Sequence, residues 1–169
     1  MNIIFLDIDG VLNSMNGYYK DISTLYTSDT IHSDNMEALL YIMKHTDAKI
    51  VVSSTWRYVG LEEIKKVFPD IDPKRIIGIT PRIIKKRRVY RGEEIEKFFE
   101  LTKDKITVDE FVIIDDDDDM TIYMDKLIQT DRKLGLTFVD AVKVCEAFNG
   151  EEFWHKLVDE HYNKEDQIK

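Results

Sequence analysis

The chain has 169 residues and an apolar fraction of 43%, which is enough to bury a substantial core and predicts a single domain. Its one cysteine, Cys145, excludes an internal disulfide framework and the multi-cysteine zinc sites. Because no basic region followed by a long apolar run opens the sequence, we expect neither a signal peptide nor a membrane span, and we expect a cytoplasmic protein.

The net charge of -9 conceals a basic segment. Eight basic residues and no acid lie between residues 74 and 91, so the rest of the chain carries -17. The eight are Lys74, Arg75, Arg82, Lys85, Lys86, Arg87, Arg88 and Arg91. Residues 80–91, the basic loop, are compatible with contact to a polyanion and equally with a solvated surface segment.

Short β-branched runs alternate with helical periodicity along the chain. The predicted strands cover 2–6, 49–52, 75–79, 111–114 and 126–129. The first predicted helix begins after an N-cap at Ser33, and the next two cover 61–68 and 93–101. A fourth follows an N-cap at Thr137, with Asp140 in a capping box, and the last covers 151–164. This order predicts an α/β fold of three Rossmann-like layers around a mainly parallel sheet of about five strands, with ligands beyond the carboxyl ends of the strands.

The first predicted strand ends in two carboxylates, Asp7 and Asp9, followed by Gly10. Residues two apart on a strand share a face, so both side chains point the same way as the chain enters a turn that glycine permits. Paired carboxylates at the end of a buried strand suit metal binding and nucleophilic attack.

The second predicted strand ends in hydroxyl side chains and an arginine, in the run Ser53-Ser54-Thr55-Trp56-Arg57. The hydroxyls could form a self-capping turn. They could also bind a phosphoryl group together with Arg57.

Five successive aspartates, residues 115–119, follow the fourth predicted strand. The apolar run before them fixes Asp115 and Asp116 to the strand end, whereas 117–119 are expected to form a solvated loop. Carboxylates about 4 Å apart repel by roughly 4 kcal/mol at an effective dielectric constant near 20, so a cation is needed. An all-oxygen ligand set favours Mg²⁺. A calcium loop is excluded because Met120 and Lys126 stand where it needs Gly and Glu.

The three segments, in this order, resemble the motifs of the haloacid dehalogenase (HAD) superfamily of phosphotransferases. FLDIDGVLN is similar to the first motif, VVSSTWR to the second and VIIDDDDD to the fourth. The resemblance implies that Asp7 is the nucleophile and Asp9 the acid/base. It also implies that Ser53, with Ser54 as a rival, binds the phosphoryl group.

The same resemblance implies a Mg²⁺ site made by the Asp7 carboxylate, the backbone carbonyl of Asp9, and Asp115 or Asp116. In its third motif the family places a lysine before a helix, and this chain has Arg91-Gly92 there. Arg91 is the first candidate for that position, with Lys85 and Lys86 as alternatives. The run 127–137 is similar to small HAD domains related to RNA-repair proteins and polynucleotide phosphatases.

These features predict a Mg²⁺-dependent phosphomonoesterase that acts through an aspartyl-phosphate. Residues 14–31 form a possible flap and little cap domain is expected, so the open site is compatible with polynucleotide ends, such as 3'-phosphates, held by 82–91. Some aromatic residues could stack on bases, although aromatics this sparse more often serve packing: Tyr18, Tyr19, Tyr26, Trp56 and Tyr90. Free nucleotides or other small phosphate esters are the alternative substrates, and a non-catalytic phosphate-binding module is the alternative of another class. The oligomeric state stays open.

Overall fold

The computed structural model describes residues 1–13, 30–150 and 152–153. Almost all of the predicted flap at 14–31 lies outside the described residues, as does most of the predicted helix at 151–164. The same holds for Tyr18, Tyr19 and Tyr26. Every structural statement below refers to the described residues.

A five-stranded parallel sheet forms the centre of the fold. The strands are β1 (Asn2–Leu6), β2 (Lys49–Val52), β3 (Ile76–Ile79), β4 (Glu110–Asp115) and β5 (Leu127–Gln129). Their order across the sheet is β3-β2-β1-β4-β5, which confirms the predicted α/β class. β3 begins one residue later than predicted because residues 73–75 form a 3₁₀ turn, in which the Asp72 carboxylate accepts the Lys74 N–H.

Four α-helices connect these strands or follow them: α1 (Ser33–His45), α2 (Leu61–Val67), α3 (Arg91–Thr102) and α4 (Phe138–Asn149). The prediction of Ser33 as an N-cap is wrong. His32 holds the capping position, and the Ser33 hydroxyl contacts the Asp34 carboxylate instead. The capping box of α4 is confirmed, since Thr137 and Asp140 exchange side-chain and backbone hydrogen bonds. None of the described helices is long and apolar enough to cross a bilayer.

Both faces of the sheet are buried, as the continuously apolar strands predict. Ile4 and Leu6 of β1 face a core shared with α1, α2 and α4. Ile3 and Phe5, one residue out of phase, face a second core that includes Ile95 of α3. The alternation along one strand thus explains why helices cover both faces and why the polar groups collect at the strand ends.

The parallel ladder continues just past the strands, which aligns the residues at the carboxyl edge. The N–H of Asp7 donates to the Ile114 carbonyl (2.9 Å), and the N–H of Ser53 donates to the Leu6 carbonyl (2.8 Å). The N–H of Thr80 extends the same pattern to the Val52 carbonyl beyond β3 (3.0 Å). Asp7, Ser53 and Thr80 are therefore fixed by backbone hydrogen bonds before their side chains make any contact.

Arg75, one of the eight residues of the basic segment, has a structural role. Its guanidinium donates hydrogen bonds to three backbone carbonyls around the end of α1, those of Met43, Thr46 and Ala48. Carbonyls at a helix end lack partners within the helix, so a guanidinium that bridges them joins α1 to the start of β3.

We expect Arg75→Gln to lower the free energy of unfolding by roughly 2 kcal/mol, because the shorter neutral amide cannot reach three carbonyls. Urea denaturation measures this change. Lys74→Gln, at an exposed neighbouring position, is the matched control and should leave the unfolding midpoint unchanged. Equal midpoints for the two variants would contradict the structural role.

Candidate active site

A pocket of about 360 Å³ opens where the strands end, a size typical of small-ligand sites. Its lining residues are Asp7, Asp9, Gly10, Asn13, Thr55, Arg91, Asp116, Asp117 and Arg132. Of the site residues predicted from sequence, the pocket wall includes Asp7, Asp9, Arg91 and Asp116, but not Ser53, Ser54, Arg57, Lys86 or Asp115. The pocket therefore opens at the predicted edge of the sheet, and only some of the predicted polar side chains line it.

Asp7 lies at the floor of this pocket and is 6% exposed. Its Oδ1 accepts the Ile8 N–H (2.8 Å). Its Oδ2 lies 3.6 Å from Nη2 of Arg91. The carboxylate is thus held through one oxygen while the other faces a cation.

Three donors fix the Asp9 carboxylate at the pocket wall. Asn13 Nδ2 (2.8 Å) and Trp56 Nε1 (3.0 Å) donate to Oδ1, and the Thr55 hydroxyl donates to Oδ2 (3.2 Å). Trp56 is 1% exposed and packs in the core, so it is not available for base stacking. A buried indole needs a partner for its N–H, and here Asp9 supplies it.

Asp115 is fully buried beside Asp7. Its Oδ1 accepts the Asp117 N–H (3.0 Å), whereas Oδ2 has no hydrogen-bond partner. One carboxylate oxygen from each of Asp7, Asp115 and Asp116 lies within 4.8 Å of the others. The Asp9 carboxylate is not part of this cluster, because its donors hold it elsewhere.

The cluster fits a divalent cation on chemical grounds. Its donors are all carboxylate oxygens, and one of them is a buried oxygen without a hydrogen bond. Burial raises the pKa of Asp7 to about 6 despite the nearby Arg91. Burial, together with the charge of Asp7, raises the pKa of Asp115 to about 8. Both shifts have the direction expected for crowded carboxylates that lack enough positive charge.

Arg91, the first residue of α3, supplies the buried positive charge. Its Nε lies 3.3 Å from Asp115 Oδ2, its Nη2 faces Asp7, and its Nη1 lies 3.9 Å from the Glu94 carboxylate. The structure therefore brings Arg91, the first candidate for the third motif, to the predicted nucleophile. The alternatives, Lys85 and Lys86, lie outside the pocket wall.

Two glycines permit the close approach of backbone to the carboxylate cluster. Gly10 has a φ of +77°, and a Cβ there would lie 2.5 Å from Cγ of Asp116. A Cβ at Gly92 would overlap the carbonyl of Met120, on the loop that follows Asp115 to Asp119. Gly92 therefore allows the start of α3, and with it Arg91, to sit against that loop.

The family model for the HAD domain in Swiss Army Knife RNA repair proteins matches residues 3–141. The chain belongs to this family. Comparisons with curated proteins and with solved structures gave no match. Membership agrees with the Rossmann-like sheet and supports a phosphatase-like function of HAD type. The three-aspartate cluster of this HAD domain occupies a position suited to the divalent cation that such domains typically use.

The three hydroxyls after β2 of the HAD domain have different positions. Ser53 is fully buried, and its hydroxyl accepts a hydrogen bond from Thr80 (3.4 Å). Ser54 is also fully buried, and its hydroxyl accepts the backbone N–H of Trp56 (3.4 Å). Thr55 is the one that lines the pocket. The sequence identifies this run of hydroxyls but not which of them faces the opening, because the turn after β2, rather than the strand, decides it.

Arg57 lies away from the wall of the main pocket and forms a buried ion pair. Its Nη2 is 2.8 Å from the Glu94 carboxylate, and its Nη1 donates to the Thr80 hydroxyl (3.2 Å). Both side chains of the pair are less than a tenth exposed. This long-range pairing between the turn after β2 and α3 gives no signal in the sequence.

The charges of the basic loop are partly neutralised by the HAD domain itself. Lys85 and Arg87 both contact the Glu93 carboxylate, and Arg88 lies 3.6 Å from Asp119. Lys86 is exposed, with no ion pair among the described residues. Nucleic-acid contact by 82–91 therefore stays a prediction.

The acidic run is not the uniformly solvated loop that we expect for 117–119. Asp117 lines the pocket, and the Asp119 carbonyl accepts the Gly92 N–H (3.3 Å). Arg132, which sequence reasoning missed, contacts Asp116 through Nε and Asp117 through Nη2. Its position three residues after β5, at the edge where all the strands end, is the signal that could have identified it.

The raised pKa values of Asp7 and Asp115 predict a pH-dependent effect of a divalent cation on stability. The folded state holds these protons more tightly than the unfolded state, in which such groups titrate near 3.8. Without a cation, their stabilising contribution is therefore complete below about pH 4 and is lost as the pH rises through about 6 to 8. We expect the increase in Tm caused by Mg²⁺ to grow over this window.

Thermal unfolding with and without Mg²⁺ from pH 5 to pH 8.5 measures this effect. Asp115→Asn should flatten the pH dependence without metal and reduce the Mg²⁺-induced shift, whereas the exposed control Asp118→Asn should behave as the wild type. A Mg²⁺-induced shift that stays constant with pH would contradict the coupling of the two carboxylates.

Proposed function

We propose that this HAD domain is a Mg²⁺-dependent phosphomonoesterase that acts through an aspartyl-phosphate on Asp7. The observation that carries the proposal is the convergence of Asp7, Asp9, Arg91 and an all-aspartate cluster around one pocket. A non-catalytic phosphate-binding module would not need a buried carboxylate beneath an incoming anion, because its charge repels the ligand.

Asp7 is suited to nucleophilic attack because its two oxygens have different environments. Oδ1 accepts the Ile8 N–H, which leaves Oδ2 to form the bond to phosphorus while the ester oxygen–phosphorus bond breaks. Arg91 faces Oδ2 and would neutralise the oxygens of the transferring group.

Asp9 is the proposed acid/base. It would donate a proton to the departing oxygen and then remove one from the water that attacks phosphorus, which releases inorganic phosphate and regenerates the Asp7 carboxylate. Trp56, Asn13 and Thr55 fix its position beside the pocket. Such orientation matters because a proton transfer requires hydrogen-bonding distance in the transition state.

Asp7, Asp115 and Asp116 would hold the Mg²⁺, together with the Asp9 backbone carbonyl implied by the family resemblance. The bound cation would supply charge neutralisation for the phosphoryl oxygens and for the crowded carboxylates. Asp115 contributes the buried oxygen without a hydrogen bond, and Asp116 lies at the pocket wall.

The proposed substrate is a phosphorylated polynucleotide end. The matched family is described from RNA repair proteins, and two exposed positive features lie on the loops around the site: the basic loop and Arg132. The connection from β3 to α3 is a loop without helix or strand, and none of residues 80–90 is part of the pocket wall. Free nucleotides are the second candidate, because a pocket of about 360 Å³ is large enough for them.

We expect Asp7→Asn to lower the rate of phosphate release by more than about 10³-fold, because the amide cannot attack phosphorus. The measurement is phosphate release from an aryl phosphate with Mg²⁺, with Asp118→Asn as the control. Mass spectrometry after acid quenching should find a phosphoryl group on the Asp7 peptide in the wild type only. Retained turnover in the variant would exclude Asp7 as nucleophile.

A panel of phosphate esters distinguishes polynucleotide ends from free nucleotides as the substrate. It contains 3'- and 5'-phosphorylated RNA and DNA oligonucleotides, free nucleotides and an aryl phosphate. We expect the double variant Lys86→Gln/Arg88→Gln to lower kcat/KM for oligonucleotides several-fold and to reduce the salt slope by about 2, since two phosphate contacts are lost. Arg87 is left intact because it holds Glu93.

The matched control for this double variant is Lys44→Gln/Lys66→Gln, which changes the net charge equally at exposed positions on α1 and α2. Turnover of the aryl phosphate should be unaffected in both double variants. Preference of the wild type for free nucleotides, or equal losses in the two double variants, would remove the polynucleotide assignment.

A further inference from the structure

We propose that Glu94 is the positioning residue for Arg91, as part of a buried ion chain that runs from Arg57 through Glu94 and Arg91 to Asp7. The inference rests on the proposed function, because it assigns the orientation of Arg91 toward the attacking oxygen to a residue outside the pocket. It also gives Arg57 a purpose other than phosphoryl binding.

The chain consists of three consecutive contacts between buried side chains. Arg57 Nη2 lies 2.8 Å from the Glu94 carboxylate, Glu94 lies 3.9 Å from Nη1 of Arg91, and Nη2 of Arg91 lies 3.6 Å from Asp7 Oδ2. The four side chains are 8%, 9%, 14% and 7% exposed. Charges this buried are strongly coupled, because little water screens them.

The geometry assigns each nitrogen of the Arg91 guanidinium to a different carboxylate. Nε faces Asp115, Nη2 faces Asp7 and Nη1 faces Glu94. Since the guanidinium is planar and its donors are fixed relative to one another, contacts at three points determine its rotation as well as its place. Without Glu94, two contacts would remain, both on the side of the carboxylate cluster.

Glu94 itself is held from several directions. It stands three residues after Arg91 on α3 and therefore on the same face of the helix. On its other side Arg57, from the turn after β2, donates to it and to Thr80. The Ile83 N–H, at the start of the basic loop, lies 3.4 Å from Glu94 Oε1. The carboxylate is thus a fixed counter-charge, held by Arg57 and Ile83, neither of which lines the pocket.

A merely structural ion pair between Arg57 and Glu94 would stabilise the fold without affecting chemistry. The two roles differ in what they predict for Arg91. If Glu94 positions Arg91, substitution of Glu94 lowers kcat because the forked guanidinium loses its orientation. The loss of kcat must then be smaller when position 91 carries a lysine, whose ammonium group is a point charge without a fork. A structural role acts on stability and does not depend on which cation stands at position 91.

The test is a double-mutant cycle with Glu94→Gln in the wild-type and Arg91→Lys backgrounds, measured as Mg²⁺-dependent hydrolysis of an aryl phosphate. Glutamine keeps the size of the side chain and an acceptor for Arg57 but removes the charge. We expect Glu94→Gln to lower kcat by ~10 to 100-fold with little change in KM, because a small displacement of a catalytic group costs rates of this order. In the Arg91→Lys background the same substitution should change kcat by less than about threefold.

Glu96→Gln, an exposed position on the same helix, is the matched control and should keep the wild-type kcat. If Glu94→Gln fails to fold, Arg57→Lys replaces it in the cycle, since lysine keeps the charge but cannot donate to Glu94 and Thr80 through two separate nitrogens. Equal losses of kcat in both backgrounds, or an unchanged kcat in the first, would overturn the positioning role.

A second readout does not need turnover. In ¹⁵N spectra of the arginine side chains, the Nη groups of Arg91 should show hindered rotation in the wild type and averaged signals in Glu94→Gln. If the wild-type protein hydrolyses no phosphate ester, the proposed function fails, and the spectra still decide whether Glu94 fixes Arg91. Averaged Arg91 signals in the wild type would overturn the inference whatever the activity.

Discussion

The crowding of carboxylates at the ends of β1 and β4 is the constraint on which the rest of the site depends. These two strands are neighbours, and Leu6 lies beside Ile114. The next residue along each strand direction, Asp7 after Leu6 and Asp115 after Ile114, must therefore also be a neighbour of the other. Neighbouring strands lie about 4.8 Å apart, which brings like charges together in a buried place. Arg91 offsets part of this negative charge, and Gly92 allows the start of α3 to come close enough for that contact.

Positive charge reaches the cluster in two layers. Arg91 is almost buried and contacts the inner carboxylates, whereas Arg132 is 55% exposed and contacts Asp116 and Asp117 from outside. Exposed pairs contribute little to stability because water screens them, and buried pairs contribute only when their geometry is satisfied. The inner guanidinium is therefore a fixed part of the site, while the outer one can exchange its partners.

The sequence predicts the parts of this molecule that depend on local order. β1 and β2 have the predicted bounds, because apolar runs of that length allow one arrangement only, and Asp7, Asp9 and Asp115 follow from their place at strand ends. The capping box of α4 is equally local. What the sequence does not reveal are partners far apart along the chain: the indole of Trp56 on Asp9 and the carboxylate of Glu94 on Arg57. The residue types of Trp56 and Arg57 suggested contact with a ligand. In the fold, the N–H groups of both side chains donate to carboxylates of the protein itself.

Gly10 and Gly92 lie where an added methyl group would collide with the Asp116 carboxylate or with the backbone behind it. A relative could therefore retain all the acidic residues and the arginine of this site and still be inert, because one alanine at either position would spread them apart. Inspection of the charged residues alone would class such a protein as an enzyme. The two positions without a side chain are thus as much a part of this site as its charged residues.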